Sequence, residues 1–228
     1  MLFRSLGAWQ QWIADAPDEL WSLCGITAGK PSASRVIGCY LGPASSLNPL
    51  LDRLPRTTSR TVATKGYLDA MRYFAGCSQD TIAQCAESGR QGFVATGHML
   101  PTAVDPARFV STVDGRSGVD ILIDSWGGAI SRIAPDATAV PHRTALASAQ
   151  IYATATPTTR TRVSATVTEI RTALSALTGP AGYVNYIDPT LPNWPTAYYG
   201  PNLPRLKKTA TTYDPDTTFT FAQNIAKA

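Results

Sequence analysis

With 228 residues, 44% of them hydrophobic and 16% charged, the chain can bury a real core in one large or two small domains. Its net charge of +4 is spread thinly, with Lys207-Lys208 the most basic stretch. That argues against a nucleic-acid or membrane-surface partner, and no apolar run approaches the ~20 residues of a membrane span. His98 and His142 lie far apart, and no cysteine sits in a metal-ligand pattern, so no metal is expected.

In chain order, Leu2, Phe3, Leu6, Trp9, Trp12 and Ile13 fall on one helical face, which predicts a helix over 2–16. Nothing there resembles a signal peptide. A helix that starts at the initiator without a capping residue suggests a domain entered partway, and hence a truncated sequence. Residues 35–41 read as a strand closed by Gly42-Pro43. Ser45 or Ser46 can cap a helix carrying Leu47, Leu50, Leu51 and Leu54. A short strand over 61–64 and a helix over 67–74 follow. Cys77 and Cys85 can form a short disulfide loop, suiting an extracellular protein, or stay as two buried thiols in a cytoplasmic one. The sequence leaves both open.

Residues 93–98 read as a strand, and Asp105-Pro106 as a helix start before Phe109, Val110 and Val113. Residues 119–124 (Val-Asp-Ile-Leu-Ile-Asp) are the clearest strand and are expected to be central. The segment 145–156 is ambiguous, alanine-rich but with threonines that favour a strand. Val163, Val167, Ile170, Leu174 and Leu177 mark a long amphipathic helix stopped by Gly179-Pro180. A strand over 182–188 comes next. A tract with five prolines between 189 and 204 then leads into a short helix from about Leu203, and Thr218 can cap a last helix ending near Ile225. Strands separated by helices predict an α+β fold, a mainly antiparallel sheet with helices packed on one side.

Within 183–186 (Tyr-Val-Asn-Tyr), strand alternation puts Tyr183 and Asn185 on one face and Val184 and Tyr186 on the other. From the residues alone, the tyrosines either divide two chemical jobs or simply pack. His142 is read as a structural, hydrogen-bonded histidine rather than a base. Leu206 and Phe219 are read as core, and Asp214-Pro215 as a turn.

The order Tyr-Val-Asn-Tyr-Ile-Asp from Tyr183, Trp194, Tyr-Tyr-Gly-Pro-Asn at 198–202, Arg205-Leu206, Tyr-Asp-Pro at 213–215, Phe219 and Gln223 resembles the C-terminal segment of the berberine-bridge-enzyme-like flavoproteins. These are a branch of the vanillyl-alcohol-oxidase superfamily. Asp-Ser-Trp-Gly-Gly-Ala-Ile at 124–130 and Thr-Ala-Val-Pro-His-Arg at 138–143 resemble that family's substrate domain, and the first third follows it more loosely. The resemblance implies a substrate domain over 1–178 and a flavin-side segment over 179–228. It implies FAD as cofactor, with Tyr183, Asn185 and Asn202 as its contacts, Tyr186 as catalytic base and Gln150 in the substrate pocket. The implied reaction is oxidation of an alcohol, sugar or natural-product hydroxyl by hydride transfer.

Gly-x-Gly-x-x-Gly before a helix does not occur in the sequence. The partner implied is therefore an FAD-binding domain, in cis or as a separate chain, and the chain alone is expected to bind flavin poorly and be inactive. The alternatives are a stand-alone, non-catalytic carbohydrate- or polyol-binding domain, and a remnant without function.

Overall fold

The computed structural model describes residues 2–87, 89 and 91–228, with only the backbone of Leu2. Its strands are β1 (Leu20–Thr27), β2 (Ala33–Tyr40), β3 (Phe93–Leu100), β4 (Asp120–Ser125) and β5 (Ala147–Thr154). They form one sheet in the order β2-β1-β4-β5-β3, with every neighbouring pair antiparallel. The helices are α1 (Leu2–Ala14), α2 (Ala44–Leu51), α3 (Tyr67–Phe74), α4 (Ile82–Ala86), α5 (Pro106–Ser111), α6 (Arg160–Thr178), α7 (Trp194–Tyr199) and α8 (Leu203–Tyr213). This is the α+β architecture expected, and β4 is its middle strand.

Alternation along the strands gives the sheet two unlike faces. One carries Cys24 and Ile26 of β1, Ile121 and Ile123 of β4, Ala149 and Ile151 of β5, and Leu100 of β3, all buried in a single core. Leu6, Trp9 and Trp12 of α1, Phe109 of α5, and Val167, Ile170 and Leu174 of α6 complete that core. The alanines that made 145–156 ambiguous belong to a strand. Ala147, Ala149 and Ala153 are buried on the face that receives the helices, where a small side chain leaves room for close packing. Two buried polar side chains of α1 are paired, as burial requires. Trp9 Nε1 donates to Ser22 Oγ at 3.0 Å, and the Gln10 amide exchanges two hydrogen bonds with the Val104 backbone at 2.8 and 3.0 Å.

The opposite face carries Trp21, Leu23 and Gly25 of β1, Arg35, Ile37 and Cys39 of β2, Leu122 and Asp124 of β4, Gln150 of β5 and Gly97 of β3. The register makes them neighbours, with Leu23 opposite Asp124, Leu122 opposite Gln150, and Gln150 opposite Gly97. At the β1–β2 end, α3 leans over this face, and Phe74 meets Trp21 edge-on at 5.5 Å.

A second cluster gathers Leu191, Ala197, Tyr198 and Tyr199 with Val184, Trp194, Leu203 and Leu206. The segment that bears it begins on the free edge of β3, where Met99 N donates to Ala181 O at 2.9 Å. It is then anchored at Asp188. The Asp188 carboxylate accepts from Thr96 Oγ1 at 2.7 Å and from Thr190 N and Oγ1 at 2.8 and 2.7 Å. It also lies 3.8 Å from Arg171 Nε of α6, with both side chains buried. The Asp188 backbone donates to Tyr198 Oη at 2.9 Å and accepts from Gln223 Nε2 at 2.8 Å.

Several sequence expectations are corrected. The stretch 182–188 is a turn, closed by Tyr186 N to Tyr183 O at 3.0 Å, and its contact with β3 is too brief to make a ladder. Residues 61–64 are irregular and exposed, because β-branched residues make no strand without a neighbour. The last helix is reduced to one 3-10 turn, Ile225–Lys227, capped by Asn224. Asp214 takes the amides of Thr218 and Phe219 at 2.7 and 3.2 Å, and Phe219, expected in the core, is 73% exposed. α2 begins at Ala44 after Pro43, without a serine side-chain cap. β1 was not anticipated. Cys77 and Cys85 are joined by a disulfide.

Candidate functional site

The Tyr183–Tyr186 turn lies flat on the uncovered face of the sheet, and Gly97 is what lets it. A Cβ at Gly97 would sit 2.9 Å from the Tyr186 Cβ and 3.5 Å from Tyr183 O. Only a residue without a side chain permits that approach. Through the register of β3 with β5 and β5 with β4, the turn is laid beside Gln150 and towards Asp124. Tyr186, Gln150 and Asp124, from three separate parts of the chain, thus share one surface.

The turn also gathers aromatic rings. Trp126, just past the end of β4, meets Tyr183 edge-on at 5.0 Å, and Tyr183 meets Tyr186 edge-on at 5.4 Å. The exposed Asn185 donates from Nδ2 to Tyr183 Oη at 2.7 Å. The pairing of Tyr183 with Asn185 therefore holds although the strand does not. Tyr186 is not on a separate face but against Tyr183, and Val184 turns away into the second cluster.

Two groups have shifted acidities. Burial pushes the Asp124 carboxyl up from 3.8 to about 6. Burial, then the Asp124 charge, then Tyr183 hold the Tyr186 phenol above its usual value. Near neutral pH the pair is therefore a protonated phenol beside an ionised carboxylate. The cationic neighbour that would make Tyr186 a free-standing base does not figure among the causes of its shift. Asp124 was read from sequence as the end of a strand and the start of the 124–130 motif, not as a site residue; the signal was a carboxylate on the half-buried side of the most apolar strand.

The remaining residues singled out in the sequence have other settings. Asn202 is buried, and its Nδ2 donates to the carbonyls of Pro135 and Thr138 at 2.7 and 3.0 Å, so it ties the 135–138 loop to the start of α8 rather than capping that helix. His142 donates from Nε2 to Ala197 O at 3.1 Å, and burial lowers its pKa. Among the described residues no group of three His, Cys, Asp or Glu side chains could hold a metal, and no helix is long and apolar enough to cross a membrane.

Next to this surface the sheet face opens into a cleft of about 600 Å³ between β1, β2 and α3. Trp21, Leu23, Ile37, Met71, Phe74 and Leu122 are among the residues that line it.

The family model described as "Berberine and berberine like" matches residues 182–226, the segment that contains the turn, the anchor at Asp188 and α7–α8. The chain is 30% identical over 222 residues to the uncharacterized FAD-linked oxidoreductase YgaK of Bacillus subtilis (strain 168), covering 95% of this chain and 48% of YgaK. It is 26% identical over 230 residues to YvdP, another uncharacterized FAD-linked oxidoreductase of that organism, covering 96% of this chain and 49% of YvdP. The chain thus spans about half the length of the curated relatives it matches. Among solved structures, Physcomitrella patens BBE-like 1 superposes with a TM-score of 0.87 at 23% identity, over 98% of this chain and 51% of that one. Chitooligosaccharide oxidase superposes with a TM-score of 0.82 at 22% identity, over 98% of this chain and 52% of that one. Residues 182–226 thus match the berberine and berberine-like model, the chain is similar in sequence to half of two FAD-linked oxidoreductases, and its fold is that of half of BBE-like 1.

Proposed function

We propose that this chain is the substrate-side half of an FAD-dependent oxidoreductase that oxidises a hydroxyl-bearing small molecule. Residues 1–178 form the substrate domain and 179–228 the flavin-side segment. The observation that carries the reading is the meeting of Asp124, Gln150 and Tyr186 on the one sheet face that no helix layer covers.

The residues present fit the ring end of the cofactor. Asn185, with one N–H engaged by Tyr183 Oη, still presents one donor and an acceptor to the carbonyl and N–H edge of an isoalloxazine, and Tyr183 and Trp126 back it with aromatic surface. The phosphate end needs a glycine-rich cradle, which we assign to an FAD-binding domain in cis or on a separate chain. FAD, when bound, supplies the hydride acceptor. Gln150 orients the substrate hydroxyl. Tyr186 takes the hydroxyl proton while its own proton passes towards Asp124, so that no free phenolate has to form near neutral pH. Asn202 keeps the turn before α8 in place from behind. Alone, the chain holds too little of the cofactor to turn over.

The test is to mix the chain with the part of YgaK to which it does not align, and to supply FAD. A yellow complex that an alcohol bleaches anaerobically is expected; a colourless mixture with no change on adding alcohol defeats the proposal. In that complex Tyr186→Phe and Asp124→Asn are each expected to slow bleaching by about 10²–10⁴-fold. The rate of the unmodified chain should fall as pH drops through about 6, where Asp124 takes up its proton.

A further inference from the structure

The cleft beside the site has a composition that selects among hydroxylated substrates. Trp21, Leu23, Ile37, Met71, Phe74 and Leu122 are the larger apolar side chains on its wall. Its charged residues are Asp18, Glu19 and Arg35; Glu19 is exposed, and the other two are already engaged. Asp18 is paired with Arg132. Arg35 lies across Gly25, whose Cβ would meet its guanidinium carbon at 3.1 Å, and reaches Asp120 at 3.9 Å and Thr27 Oγ1 at 3.5 Å. An oligosaccharide in such a cleft would give up water at many hydroxyls and recover few hydrogen bonds. An apolar ring system gains by the same burial.

The cleft is continuous with the reactive groups. Leu23 stands opposite Asp124 in the β1–β4 register, and Leu122 stands opposite Gln150 in the β4–β5 register. From Asp124 the floor runs across β1 to β2, two interstrand spacings or roughly 10 Å. A volume of about 600 Å³ suits a ligand well beyond a simple alcohol.

We infer that the substrate is an alcohol whose hydroxyl sits on an apolar, ring-bearing body about 10 Å long, with that body lying in the cleft against Trp21 and Phe74 and the hydroxyl at Asp124, Gln150 and Tyr186. This rests on the oxidoreductase reading for the hydroxyl end. The choice of an apolar body over a sugar rests on the cleft alone.

Binding to the cleft can be read on the 228-residue chain without flavin. The probes are 2-naphthalenemethanol and cellobiose, followed by calorimetry and by methyl NMR of Leu23, Ile37, Met71 and Leu122. Saturable binding of the naphthyl alcohol that shifts those methyls is expected, with no comparable response to cellobiose. Ile37→Asp, which puts a charge on the cleft floor, should weaken the naphthyl alcohol at least about tenfold. Its circular dichroism and melting cooperativity should match the parent, and Leu122→Asn serves in the same role if it does not fold. Preference for cellobiose, no saturable binding of the naphthyl alcohol, or equal affinity in the folded variant overturns the inference. None of these outcomes bears on flavin loading by the mixed halves, so the two readings fail separately.

Discussion

Asp124 is the residue at which stability and chemistry pull apart. Its carboxyl has a higher pKa in the folded chain than the ordinary 3.8, so between 3.8 and about 6 the folded state binds the extra proton. Stability from this group is therefore fully present below 3.8 and is lost as pH rises through about 6. Asp124→Asn removes that loss, and thermal melts should show the variant more stable than the parent at pH 8, with the gap closing towards pH 4. A parent no less stable at pH 8 than the variant would mean that the carboxylate is well solvated. His98 runs the other way. Burial and the nearby Arg171 lower it from 6.5 to about 4, so its contribution is present above 6.5 and lost as pH falls through about 4. The buried Asp188 has a different task, since it holds the C-terminal segment to β3 through Thr96 and to α6 through Arg171. Asp188→Ala leaves the Arg171 charge unpaired in the core and should cost about 3–5 kcal/mol by denaturant titration. A cost under ~1 kcal/mol, the usual size for an exposed pair, would show that water reaches the site.

At the scale of elements, the sequence was most legible where one physical signal dominated. β4 announced itself by its apolar run, α6 by its stripe from Val163 to Leu177, and α5 by Asp105-Pro106, whose carboxylate does cap the helix through Arg108 N at 2.8 Å. β1 was hidden because Ser22 and Gly25 interrupt its pattern, and both interruptions have causes elsewhere in the chain. Ser22 Oγ accepts from the Trp9 indole, and Gly25 makes room for the Arg35 side chain. The 183–186 turn misled for the same kind of reason. Its alternation fits a strand, but Gly97 lets it lie across the face instead of pairing along the edge. The grouping of Tyr183 with Asn185 could be read from the sequence; the closeness of Tyr186 to Asp124 could not, because it depends on the register of three strands. Gly97→Ala should therefore move the turn, shifting the backbone amide resonances of residues 183–186 and costing about 1–3 kcal/mol. Gly66→Ala, with nothing within 4 Å of the new methyl, is the control and should do neither. Equal behaviour of the two variants would mean that the turn rides clear of the sheet.

For the whole molecule, the two faces of the sheet are unequal in what they have to bury. The helix-covered face closes a core with members from α1, α5 and α6, whereas the other keeps a cleft and a half-buried carboxylate. The chain spans about half of YgaK and YvdP and superposes on about half of BBE-like 1, and in the reading proposed above this second face is turned towards the flavin. That makes the face the natural seat for the flavin-bearing partner proposed above.

The two margins of the sheet also differ. β3 is partly closed by Ala181, whereas β2 has β1 as its only strand neighbour among the described residues and leaves much of its length in solvent. Such a margin is a template onto which a second molecule can add a strand, and Arg35 is the only charge along it to discourage this. Concentrated solutions should therefore clump through β2, and Val36→Lys should lower light scattering while leaving the melting curve in place. Unchanged scattering would move the sticky spot elsewhere. For anyone preparing the protein, shelf life would then be governed by a strip of eight residues two strands away from the carboxylate.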